Sequence, residues 1–153
     1  MNKKSYLTAF VFLIAAGFVV QFGIASDPTE TAKWNAAILD DPVLQSNVQG
    51  TMSFAMAGPD TRTTQIFVNL EDNARLDKSG FAPFGTIVAG MDVFTALFNP
   101  TPHSGNGVDQ GAYQEQGNAW ILNEYPEIDL IENTALFVGE VDLQPSTTTT
   151  QPP

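Results

Sequence analysis

Apolar and polar residues alternate most clearly across residues 50–70. Over residues 51–57, Met52, Phe54 and Met56 stand against Thr51, Ser53 and Ala55; over residues 64–70, Gln65, Phe67 and Asn69 stand against Ile66, Val68 and Leu70. A period of two predicts two strands. Gly58-Pro59-Asp60 between them predicts a turn, because glycine frees the backbone, proline fixes φ and aspartate bonds back to the chain. Gln65 and Phe67 fall on one strand face, opposite the small side chains Ala55 and Ala57. An amide beside an aromatic ring, facing small residues, predicts a groove with an apolar floor and a hydrogen-bonding wall.

The pattern is less regular on either side. Residues 7–20 are apolar except for Thr8, after a basic start at Met1-Asn2-Lys3-Lys4 and before the small residues Gly23-Ile24-Ala25-Ser26. That is the layout of a secretory signal peptide. The stretch is short for a membrane span, and Gln21 interrupts it. A strand is the alternative, since residues 17–24 are rich in Phe and Val. The protein is accordingly expected to be exported, to a periplasm or outside the cell, if the segment is a signal, and cytoplasmic otherwise.

Asp27 or Thr29 can cap a helix with Pro28 in its first turn, and a short helical turn is expected over residues 31–38, with Trp34 packed as core. Asp40-Asp41-Pro42 reads as a solvated turn rather than a metal site, because consecutive carboxylates diverge. Residues 46–50 form a loop, residues 71–73 a polar turn and residues 75–80 a second loop. A strand follows over residues 86–89. An amphipathic helix is expected over residues 92–98, with Met91, Phe94 or Val93, Leu97 and Phe98 as its buried stripe. Residues 99–111, rich in Pro, Gly and Asn, predict a long loop that holds His103. Residues 110–117 suggest one helical turn, residues 118–122 and 126–131 are apolar, and residues 135–143 alternate as a last strand. The chain thus divides into 1–25, signal-like segment or retained strand; 26–143, one folded domain; and 144–153, a low-complexity tail expected to be disordered.

Composition narrows the chemistry. Seventeen acidic residues against six basic ones give a net charge of −11, which argues against a nucleic-acid partner and fits solubility. There is no cysteine and one histidine, so no disulfide, thiolate or histidine-rich metal chemistry is expected. No metal, no cofactor and no stable membrane span is expected.

The central stretch resembles the core motif of the cyclophilins, the peptidyl-prolyl cis-trans isomerases. Leu76-Asp77, Phe84-Gly85 and Val88-Ala89-Gly90-Met91-Asp92-Val93 look like the next block of that family. Upstream, Gly17-Phe18 with Gln21 and Gly23 resembles its GF-x-x-Q-x-G strand. Asp27-Pro28, Lys33-Trp34, Asp40-Asp41-Pro42 and Ser46-Asn47 are similar to a bacterial branch, as are Gln110, Gly117-Asn118 and Tyr125-Pro126-Glu127-Ile128-Asp129. The resemblance runs from about Gly17 to Ile131.

The resemblance implies a mainly β fold: a cyclophilin-like antiparallel β-barrel with one or two helices. The family's barrel is closed and eight-stranded; this chain is expected to lack the first strands and helix. It also implies a groove for an X-Pro segment of a proline-containing peptide or unfolded protein. Phe18, Phe67 and Met56 would hold the proline ring, Gln21 and Gln65 the flanking backbone, Ala55 and Ala57 would line the groove, and Leu76 would close one side. The family's cationic donor lies in an F-x-R-x-x-P motif. Here Leu13 stands at the arginine and Ala16 at the proline. Arg75 replaces an aromatic residue that often precedes Leu76, and the family's groove histidine falls near Gly80 or Phe81. The resemblance therefore implies an isomerase of weakened activity, or else a non-catalytic proline-peptide-binding or chaperone-like module, or a non-functional fragment.

Overall fold

The structure, a computed structural model, describes residues 9–15, 17–103, 107–132 and 134–139. The basic start, Ala16, the end of the strand expected to reach residue 143 and the low-complexity tail lie outside the described residues.

The strand that organises the rest is β2, Val19–Ala25. Its side chains alternate as the pleat requires. Val20 and Ile24 are fully buried, each in a different apolar cluster, while Val19 and Gln21 face the opposite side. β1, Ala9–Ala15, pairs antiparallel with β2 along one edge, with Leu13 across from Gln21. β4, Ile66–Asn69, pairs along the other, with Gln21 across from Phe67. β3, Thr51–Phe54, continues outward with Ser53 across from Phe67, followed by β5, Pro83–Thr86. β6, Leu130–Ile131, joins the far side of β1. The result is a mainly β, antiparallel six-stranded sheet in the order β5-β3-β4-β2-β1-β6. Among the described residues it is open, with β5 and β6 as its edges, rather than a closed barrel.

Among the described residues, three α-helices pack on it, where the resemblance implies one or two. α1, Pro28–Trp34, starts where the capping signals place it: Asp27 accepts from the Thr29 N–H at 2.8 Å. Trp34 is not core. It is 59% exposed, donating its indole N–H to Glu30 with Lys33 over its ring. α2, Met91–Ala96, packs Met91, Phe94 and Leu97 against Val20 and Leu70, leaving Val93 and Phe98 exposed. α3, Gln110–Glu124, is far longer than the single turn its polar start suggests. It buries Tyr113, Gly117 and Ile121, four residues apart, and gathers Ile24, Val108 and Ile128 into the first apolar cluster. Its backbone kinks at Gly117, where φ is +61° and a Cβ would lie 2.3 Å from the Ser26 carbonyl oxygen. Only glycine allows this approach.

The remaining boundaries shift in physically simple ways. The two central strands are shorter than their alternation, because pairing stops where the chain turns away around residues 55–65. The strand expected over residues 86–89 is instead β5, which ends at Thr86, so the two share that residue alone; residues 74–79 wind into a 3-10 helix, Ala74–Ser79, rather than a loop. Residues 134–139 form no strand, and Leu136, Phe137 and Val138 are exposed. Among the described residues, no helix is long and apolar enough to cross a membrane.

Candidate functional site

The face of β2 and β4 that carries Val19, Gln21 and Phe67 opens on a groove of about 350 Å³. Phe18 adds an aromatic wall from just before β2. Ala55, Met56 and Ala57 come from the segment that leaves β3, Gln65 from the segment that enters β4, and Leu76 from the 3-10 helix. The structure thus brings Phe18, Gln21, Ala55, Met56, Ala57, Gln65, Phe67 and Leu76 to one cavity. Leu13 reaches this site through the backbone register alone, as the cross-strand partner of Gln21.

The two glutamines touch. Gln21 Nε2 donates to Gln65 Oε1 at 2.8 Å. This uses one donor and one acceptor and leaves Gln65 Nε2 and Gln21 Oε1 without a partner among the described residues. A half-buried amide pair so arranged can serve a carbonyl and an N–H of a bound peptide. The closeness depends on Gly23. Its φ is +118°, and a Cβ there would lie 2.3 Å from the Thr64 carbonyl oxygen and 2.9 Å from Gln65 Cα.

A buried polar network fixes the aromatic side. Asn47 Nδ2 donates to Asp77 Oδ1 and to the Phe81 carbonyl, both at 2.8 Å. Its Oδ1 accepts from Ser53 Oγ at 2.8 Å and Asn69 Nδ2 at 3.2 Å. Asn73 Nδ2 in turn donates to Asn69 Oδ1 and to the Phe18 carbonyl, both at 2.9 Å. Asn47, Ser53, Asn69 and Asn73 are almost wholly buried. Four separate segments are therefore tied together behind Phe18, Leu76 and Phe81. The Asp77 carboxyl lies below its ordinary value of 3.8, chiefly through the hydrogen bond from Ser46 Oγ, then those from the Asn47 side chain and backbone N–H. Phe67 and Phe81 meet edge to face, with ring centres 5.6 Å apart.

The far wall is held by an ion cluster. Arg62 is 5% exposed; its Nε lies 3.2 Å from Asp40 and its Nη1 2.9 Å from Asp41. Its Nη2 donates to the Leu39 carbonyl, and the guanidinium lies over Phe54. Asp40 and Asp60 exchange hydrogen bonds with each other's backbone N–H at 2.8 and 2.9 Å. Asp40 and Asp41 are thus the anchors of the 58–62 turn rather than a merely solvated pair.

Thr61, Thr63, Phe81, Gln110 and Val19 also line the groove. The two threonines had a usable signal: residues 61, 63, 65 and 67 continue one period-two row. Phe81 is one of the two positions, with Gly80, near which the resemblance puts the groove histidine. Gln110 arrives from α3, whose packing local pattern does not reveal. None of the lining residues is charged, and His103 is exposed and outside the groove. The described residues contain no group of three or more His, Asp or Glu placed to hold a metal ion. The site can bind by shape, apolar contact and amide hydrogen bonds.

The family model described as cyclophilin type peptidyl-prolyl cis-trans isomerase/CLD matches residues 1–114. A peptidyl-prolyl cis-trans isomerase of Acinetobacter baylyi is 39% identical over 70 residues, which is 42% of this chain and 37% of that protein. Peptidyl-prolyl cis-trans isomerase A of Dickeya dadantii is 34% identical over 100 residues, 61% of this chain and 52% of that one. A peptidyl-prolyl cis-trans isomerase-like 3 of Dictyostelium discoideum is 34% identical over 88 residues, 53% and 52% of the two chains. The chain therefore spans about half the length of these relatives, or less.

Proposed function

The chain belongs to the cyclophilin-type peptidyl-prolyl cis-trans isomerase family, and on that premise we propose that its groove binds X-Pro segments and eases rotation about the X–Pro bond. The supporting observation is the convergence of Phe18, Met56, Phe67, Leu76 and the Gln21–Gln65 pair on one cavity. A proline ring enclosed by those apolar side chains gains about 2 kcal/mol from burial. Gln65 Nε2 and Gln21 Oε1 hold the flanking backbone. Amide resonance sets a barrier of about 18–20 kcal/mol to peptide-bond rotation. A site that grips the backbone on both sides of a twisted amide more tightly than a planar one lowers that barrier, with no covalent step and no cofactor.

No residue that lines the groove is cationic, and the position where the family has its arginine is Leu13, across from Gln21. Electrostatic stabilisation of the twisted amide is therefore left to neutral dipoles, and the isomerase is a weak one. The same observation favours one second reading, a non-catalytic proline-peptide binder. A protease-coupled proline-peptide assay on the unmodified chain and on Leu13→Arg decides between them. A slow but measurable acceleration that rises in the variant supports the isomerase. Peptide binding with no acceleration in the unmodified chain supports the binder. Turnover in the unmodified chain that Leu13→Arg does not raise contradicts the role given to position 13.

A further inference from the structure

Phe18 forms one wall of the groove, and the guanidinium carbon of Arg75 lies 4.5 Å from the centre of its ring. Arg75 belongs to the 3-10 helix Ala74–Ser79, whose next residue, Leu76, lines the groove itself. The two arginines of the chain are in different situations. Arg62 is buried and held by Asp40 and Asp41. Arg75 is exposed and makes no ion pair among the described residues. A guanidinium laid against an aromatic face keeps its N–H edge for a second partner, and that planar edge matches a carboxylate. The ring also limits the freedom of the arginine, so less entropy is lost when an anion binds. The groove lining is uncharged, and the chain carries a net charge of −11. Arg75 is therefore the cation set against the groove wall, with the Glu71 carboxylate near Gly17 on the same side.

We propose that Arg75 is a specificity-determining residue that selects X-Pro segments with a carboxylate side chain next to the proline. This rests on the groove being the X-Pro site. Arg75 is a binding residue in this scheme and takes no part in rotation of the bond. An exposed ion pair of this kind amounts to a preference of about 1.5- to 5-fold at low ionic strength, shrinking as added salt shortens the screening length.

The test uses the full chain and four short peptides that differ at one residue: Glu or Gln immediately before the proline, and Glu or Gln immediately after it. Dissociation constants are measured at low and at physiological ionic strength, for the unmodified protein, Arg75→Gln and Arg75→Lys. The Glu peptide is expected to bind more tightly than its Gln counterpart in at least one of the two positions. That ratio falls to one in Arg75→Gln, is partly kept in Arg75→Lys, and shrinks with salt. A purely structural role for Arg75 would weaken Glu and Gln peptides alike and leave the ratio intact, which overturns the proposal. Equal binding of Glu and Gln peptides by the unmodified protein overturns it too, while leaving the groove assignment standing. Failure of all four peptides to bind removes the groove assignment and this inference together.

Discussion

Replacing Asn47 with alanine removes four side-chain hydrogen bonds in one step: to Asp77, to the Phe81 carbonyl, from Ser53 and from Asn69. Two of these partners have substitutes. Asp77 keeps Ser46 Oγ and the Asn47 N–H, and Asn69 keeps Thr51 Oγ1. The other two do not. Among the described residues, Ser53 Oγ is buried with no other partner, and the carbonyl of half-buried Phe81 accepts from Asn47 alone. The stranded, buried Ser53 hydroxyl costs about 1–3 kcal/mol and the lost bond at the half-buried Phe81 carbonyl about 1 kcal/mol, so the substitution should destabilise by about 2–4 kcal/mol. That is a large share of the roughly 5–15 kcal/mol available to a domain. Urea unfolding followed by circular dichroism measures it. Ser53→Ala alone should cost about 1 kcal/mol, since Asn47 Oδ1 keeps Asn69. In the double variant the stranded hydroxyl is gone, so its cost should fall short of the sum by about 1 kcal/mol. A loss under about 1 kcal/mol for Asn47→Ala, or strict additivity of the pair, would refute the network as drawn.

Three further outcomes follow from the same geometry. Gly23→Ala places a Cβ against Thr64 at a left-handed φ; it should cost about 2 kcal/mol or more in thermal or urea unfolding and weaken proline-peptide binding by parting Gln21 from Gln65. Arg62→Ala should cost less than the roughly 3–5 kcal/mol of a wholly buried pair, because water can reach the carboxylates it leaves behind; hydrogen exchange should quicken at Ala57 and Ile38, whose N–H groups bond Thr61 Oγ1 and the Arg62 carbonyl, and unchanged exchange there would contradict its anchoring role. The Asp77 carboxyl is lowered in the folded state, so its contribution is present above the unfolded value near 3.9 and is lost as pH falls through the folded value; Asp77→Asn should flatten stability against pH below about 4, and an unchanged acid limb would count against the Ser46 and Asn47 contacts.

The strands of the groove were legible because alternation reports which face is buried, and Gln65, Phe67, Ala55 and Ala57 lie within one such stretch. Phe18, Gln21 and Leu76 were reached through resemblance, since isolated aromatic and amide residues carry no period of their own. α3 was hidden by Gly117, which reads as a break but is the kink that lets the helix pass Ser26. Trp34 was misjudged as core because a large apolar ring says nothing about the Glu30 and Lys33 that hold it at the surface. The alternation over residues 135–139 did not become a strand, because a pattern supplies no neighbouring edge to pair with. The asparagine network had no sequence signature, since its members come from four segments and meet only after folding.

The claim on which the rest depends is that the Gln21–Gln65 groove is where a proline peptide sits. Titrating the labelled full chain with an Ala-Pro peptide and with its Ala-Ala counterpart, while following the side-chain amide signals of Gln21 and Gln65 by NMR, tests it directly. The account predicts saturable shifts of both amides with the proline peptide and not with the alanine one. Silent amides, with shifts appearing instead around Phe22 and Trp34, which line a separate cavity, would contradict it.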